Sequence, residues 1–179
     1  MQTKFLIAVT LTGLLISGCA TQGKSKASDI KKISLKIAKL DLDNDNLPEV
    51  IKVEVESKED APIIVTIARP DKSERASFQI PGVFDRIEFA ELNNDGYKQI
   101  AVFYHDKEGR MHLVVYRLKN DTLFKIFAVS SACGLDAEFG GSLPRVKVGK
   151  PRFGQEKCLP DDIFDWEIWV WQGDRFILQ

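Results

Sequence analysis

What the sequence lacks already narrows what it can be. Its longest apolar stretch, Phe5 to Gly18, falls short of the roughly 20 residues that a helix needs to cross a bilayer. Charge of one sign is missing too: 25 Lys and Arg stand against 26 Asp and Glu, a net charge of −1. No basic patch forms, which argues against nucleic acid as a partner. Cysteine is scarce, with three residues and no Cys-x-x-Cys, so no redox motif is written into the chain. There is no Gly-x-Ser-x-Gly nucleophile elbow. The two histidines, His105 and His112, fall on or beside a predicted hairpin, where surface or cross-strand roles are commoner than catalytic ones. After residue 32 no segment keeps a 3.6-residue apolar period for three turns, which excludes a helical domain.

The N-terminus carries an address. One positive charge, Lys4, precedes the uncharged run Phe5 to Gly18, as in a secretory signal. The run ends in Leu15-Ile16-Ser17-Gly18-Cys19, which resembles the lipobox of bacterial lipoproteins: an aliphatic residue, small residues and then the Cys that takes lipid through a thioether. The resemblance implies a signal peptide over 1–18, a lipid (palmitate-type) anchor on Cys19 and a membrane partner. Ala20 is not the Asp that retains such proteins at the inner membrane, so the implied location is the outer membrane, facing periplasm or surface. Residues 19–31 are polar and aperiodic and read as a tether, reaching at most about 40 Å when extended. With Cys19 consumed, Cys133 and Cys158 form an even pair in an oxidising compartment, and a disulfide is expected.

From residue 32 to 179 the chain reads as one all-β domain of antiparallel strands. Ile33, Leu35 and Ile37 alternate with Ser34, Lys36 and Ala38, and Val50-Ile-Lys-Val-Glu-Val keeps the same period of two. Further runs start at Pro62, Ser77, Arg86, Ile100, His112 and Leu123, separated by turn signals such as Lys107-Glu-Gly and Lys119-Asn-Asp. Lys39 to Ile51 aligns with Phe89 to Ala101 at an offset of fifty residues, and each copy is a strand, an acidic loop and three more strands. That is one four-stranded propeller blade, so two repeats are expected, about 33–82 and 83–130, in a partial or open propeller or a sandwich-like arrangement. Residues 131–179 read as an irregular cystine region with a closing hairpin, whose turn is Gly173-Asp174. In its first strand Trp166, Ile168 and Val170 face one way and Trp169 and Trp171 the other, as in a strand buried on both faces or one with a sugar-stacking face.

The acidic loops are the candidate site. Asp41, Asp43 and Asp45 occupy loop positions 1, 3 and 5, Leu47 offers a carbonyl at 7 and Glu49 follows at 9, an oxygen set suited to calcium. Asn46 takes the sharp-turn position, where Asn tolerates left-handed backbone. Position 12 is Lys52 rather than a bidentate Glu, so this is no EF-hand. The second loop offers Glu91, Asn93, Asp95 and Gln99 and is weaker, because only two of its four members are charged. Both loops resemble the FG-GAP and VCBS repeats of integrin-α-like β-propellers, whose signature is Asp-x-Asp/Asn-x-Asp-Gly followed by an acidic residue and an apolar strand. The resemblance implies a calcium-stabilised blade and a binding or adhesive role. The metal-free reading is a turn whose Asp and Asn side chains cap backbone amides.

The function expected from these features is a non-enzymatic, lipid-anchored binding or structural module of the cell envelope, with an envelope protein or glycan as partner. The alternative is a glycan-binding protein or hydrolase of envelope polymers, using the C-terminal tryptophans with Asp161, Asp162 and Asp165.

Overall fold

The computed structural model describes residues 32–56, 61–93, 95–140, 143–151, 158 and 165–179; the signal peptide, the tether, Asp161 and Asp162 lie outside these. The fold is all-β, with no helix among the described residues. Among the described residues twelve strands form three sheets of four, each a meander of antiparallel neighbours. The first sheet holds β1 (Lys32–Leu40), β2 (Glu49–Glu56), β3 (Ile63–Ala68) and β4 (Glu74–Ile80). The second holds β5 (Val83–Ala90), β6 (Gln99–His105), β7 (Met111–Lys119) and β8 (Thr122–Ser131). The third holds β9 (Leu135–Glu138), β10 (Arg145–Lys150), β11 (Asp165–Gln172) and β12 (Arg175–Leu178). The fifty-residue repeat is thus one sheet per copy.

The segment after residue 131 is more regular than its sequence suggests. β9, Leu135-Asp-Ala-Glu, has four residues and two acids, too little alternation to read as a strand, yet it pairs along β10 from Leu135↔Val148 to Glu138↔Arg145. Gln172 pairs with Arg175, so Gly173 and Asp174 make the two-residue turn that was expected. A similar turn joins β7 to β8: Lys119 pairs with Thr122, and Asn120 and Asp121 both have positive φ, 51° and 57°. Positive φ at both central residues is the type I′ geometry that matches strand twist.

Alternation along the strands builds two cores. In β2 and β3, Ile51, Val53, Ile63, Val65 and Ile67 point inward and meet Ile100, Val102 and Leu118 of the second sheet. Ala101 and Phe103, the intervening residues of β6, point the other way and meet Leu135, Val146, Val148 and Trp171 of the third sheet. The middle sheet is therefore buried on both faces, which is why β6 reads as a continuous apolar run, Ile-Ala-Val-Phe. Arg86 lies with its guanidinium carbon 3.6 Å from the centre of the Phe103 ring. Trp169 and Trp171 pack in the second core, against Phe127 and Phe176, whereas Trp166 is exposed on the outer side.

Cys133 and Cys158 are bonded, with Cα atoms 5.0 Å apart, and close a loop of 25 residues around β9 and β10. Chain entropy assigns such a bridge about 3 kcal/mol. Replacing both cysteines by serine should lower the melting temperature by roughly 10 °C for a domain of this size. Mass spectrometry after non-reducing alkylation should find the two peptides linked; free labelling of both thiols would reject the bridge.

Candidate functional site

The two acidic loops lie at the same end of neighbouring sheets and are built alike. In the first, Asp41 accepts the amides of Asp45 and Asn46 at 3.2 and 2.9 Å, and Asp45 accepts that of Leu47 at 2.7 Å. Fully buried Glu49 reaches back to the Leu42 amide at 2.8 Å and so ties the loop's end to its beginning. In the second, Glu91 accepts the Gly96 amide at 2.8 Å, Asp95 that of Tyr97 at 3.1 Å, and Gln99 that of Leu92 at 2.9 Å. Asn46 and Gly96 hold the equivalent left-handed position, with φ of 66° and 82°. Leu42 and Leu92 are both buried, each plugging one core. These carboxylates and amides cap backbone, as Asx-type turns do.

The decisive group in the first loop is one the sequence did not single out. Arg75 sits between the carboxylates: Nη1 donates to Glu49 Oε1 at 2.5 Å and Nη2 to Asp43 Oδ2 at 2.6 Å. Its Nε donates to Asp121 Oδ1, also at 2.5 Å, in the β7–β8 turn of the second sheet. The arginine side chain is only 5% exposed and that of Glu49 only 1%. Burial works against the guanidinium charge, but the bonds to Asp43, Asp121 and Glu49 outweigh it and hold the arginine well above its ordinary pKa. A β-bulge aims it there. Ile67 pairs with Ala76 and Ala68 with Glu74, leaving Arg75 as the extra residue. The second sheet has a bulge at the corresponding place, where Val115 pairs with Phe127 and Tyr116 with Lys125. The extra residue there is Ile126, which packs on the second core.

This arrangement bears on the calcium expectation. Carboxylate oxygens of Asp41, Asp43 and Glu49 come within 4.8 Å of one another, whereas Asp45 stays outside that group, bonded to Leu47, whose side chain is exposed. Two of the three carboxylates already embrace a guanidinium, and Asp41 is committed to two amides. The Arg75 guanidinium thus occupies the space between Asp43 and Glu49, while Asp43 Oδ1 stays buried without a partner among the described residues. In the second loop Gln99 replaces Glu49, and its Nε2 is buried without a partner. Asp95 there takes Nη2 of Arg117 at 2.7 Å, and Asn93 accepts the indole N–H of Trp171 from the third sheet. The loops also touch each other. The Lys98 amide donates to the Leu42 carbonyl at 2.9 Å, and a Cβ on Gly96 would lie 2.5 Å from the Asn44 amide nitrogen.

At the opposite turn of the second sheet, His112 Nε2 donates to Asp106 Oδ2 at 2.9 Å, and its ring stacks on Tyr104 at 4.7 Å. Bonds from His112 first, then from Arg110, hold the Asp106 carboxyl far below its usual range. Asp165, at the start of β11, is exposed and pairs in register with Lys150. No protein-family model, curated protein or solved structure matches the chain.

Two outcomes follow for solution behaviour. Arg75→Ala strands Glu49 as an uncompensated buried charge and should cost about 3–5 kcal/mol. Millimolar calcium should then raise the melting temperature of this variant but leave that of the wild type where excess chelator leaves it. A rise of several degrees in the wild type would overturn the assignment of Arg75 as the loop's cation. For Asp106 the depressed folded pKa means that its contribution is present above the unfolded value near pH 4 and is lost as pH falls below it. Asp106→Asn should therefore flatten the loss of stability below that pH, read as urea midpoints across the acid range.

Proposed function

We propose that the chain is a lipid-anchored, non-enzymatic binding or structural module of the cell envelope, an open propeller of three blades related to the FG-GAP and VCBS repeats. The observation that carries this reading is where the polar groups of the loops are spent. Asp41, Asp45, Glu49, Glu91, Asp95 and Gln99 close their own turns, while Arg75, Asn93 and Lys98 tie one sheet to the next. The loops are architectural, and they brace a stack whose two end faces remain available to a partner. The corresponding loops of the two repeats share the backbone bonds of positions 1, 5 and 9, which supports the kinship in form even though position 3 meets arginine in the first loop and tryptophan in the second. A calcium requirement is not part of this proposal.

The alternative, a glycan-binding protein or hydrolase, calls on the C-terminal tryptophans. Trp169 and Trp171 are packed against Phe127 and Phe176, so the indoles on that face serve the second core. The anchoring to the outer membrane rests on Leu15 to Ala20.

Labelled palmitate incorporation into wild type and Cys19→Ala, followed by membrane fractionation, tests the anchor. Wild type should take up label and fractionate with the outer membrane, and the variant should do neither. Labelling that persists in the variant, or wild type in the soluble fraction, would reject the anchored reading.

A further inference from the structure

The outward side of the first sheet carries a depression lined by cations. Because Ile51 and Val53 of β2 point into the first core, Val50 and Lys52 point out. Lys39 of β1 and Ala68 of β3 both pair with Val50 and share its side. The β3–β4 turn then folds Arg69, Pro70 and Lys72 over the end of these strands, giving a depression of about 310 Å³. Its floor is apolar, from Val50, Ala68 and Pro70, and every charged side chain lining it is a cation: Lys39, Lys52, Arg69 and Lys72. Two acids lie nearby, each bonded to a serine, and Asp71 also acts on Arg69. Asp71 accepts the amide and hydroxyl of Ser73 at 2.8 and 2.6 Å, and Glu74 accepts the Ser77 hydroxyl at 2.7 Å. Arg69 is held by Asp121 of the second sheet at 2.8 Å, whereas Lys39, Lys52 and Lys72 enter no salt bridge among the described residues.

We propose that this groove binds a phosphate-bearing sugar. Three lysines gathered without an ion-pair partner favour a multivalent anion. Lysine ammonium groups bind phosphate as point charges, and a dianionic phosphate gains more from several of them than a single carboxylate does. The apolar floor takes the C–H face of the sugar. The volume lies at the low end of the roughly 300–1,000 Å³ typical of small-molecule sites, room for a monosaccharide phosphate. An anionic bilayer fits less well: Glu54 and Glu56 occupy the same outward side of β2, and a flat negative surface covering the face would meet them. The inference deepens the envelope-binding reading and rests on it for where the sugar is met, but not for the binding itself.

The test is calorimetric titration of the full chain in non-ionic micelles with glucose 6-phosphate, with glucose as the neutral control and micelles doped with phosphatidylglycerol as the lipid arm. Saturable binding of glucose 6-phosphate and none of glucose is expected, weakening as salt is raised. Lys52→Gln and Lys72→Gln should each cut affinity about threefold to fivefold and together about tenfold or more. Lys39→Gln, on the edge strand, repeats the test should the double variant fold poorly. Absence of saturable binding, equal binding by the lysine variants, or a response to phosphatidylglycerol alone would overturn the proposal. Failure of the Cys19 anchor with glucose 6-phosphate binding intact would reject the address and leave the groove standing.

Discussion

The architecture turns on one buried guanidinium. Arg75 neutralises Glu49 and Asp43 inside the first loop and, through Asp121, fastens that loop to the turn of the next sheet. Glu49 can be fully buried only because both of its oxygens are satisfied, one by Arg75 and one by the Leu42 amide. That amide bond seats Leu42 at the top of the first core. A charged pair of this kind is a modest source of net stability, but it tolerates few alternative geometries. It sets where the first sheet sits against the second.

The second loop shows what happens when the charge is removed. Gln99 keeps the backbone bond that Glu49 makes but has no use for a cation, and the bulge that carries Arg75 in the first sheet carries Ile126 in the second. Sheet-to-sheet attachment passes instead to a neutral bond between Asn93 and Trp171 and to aromatic packing by Trp171, Phe176 and Phe127. The same repeat thus adds an ion pair to its apolar contacts with one neighbour, which include Phe78 on Tyr116 at 4.3 Å between ring centres, and a neutral bond to its aromatic contacts with the other.

Stacking three sheets buries the middle one twice and leaves the first and third with one outward side each. These sides differ. The first presents lysines around an apolar floor. The third presents exposed Trp166 beside Lys147 and Ile168, which lie across from each other on β10 and β11. A stack whose interior faces are filled and whose loops are internally bonded meets other molecules through its ends.

The amino-acid pattern alone determined the all-β class, the fifty-residue repeat, the hairpin at Gly173-Asp174 and the left-handed turn at Asn46, because each depends on residues adjacent in sequence or two apart. The tryptophan alternation on β11 was legible for the same reason. Tertiary structure decided the rest. β9 is a strand because β10 lies beside it, not because Leu135-Asp-Ala-Glu favours extension. The cysteine pairing was suggested by number, but the meeting of Cys133 and Cys158 follows from the packing around β9 and β10. Above all, Asp41, Asp43 and Glu49 read as ligands for a metal because carboxylates so spaced need a cation, and nothing local supplies one. The cation comes from Arg75, separated from Glu49 by 26 residues and turned inward by a bulge that only strand pairing creates.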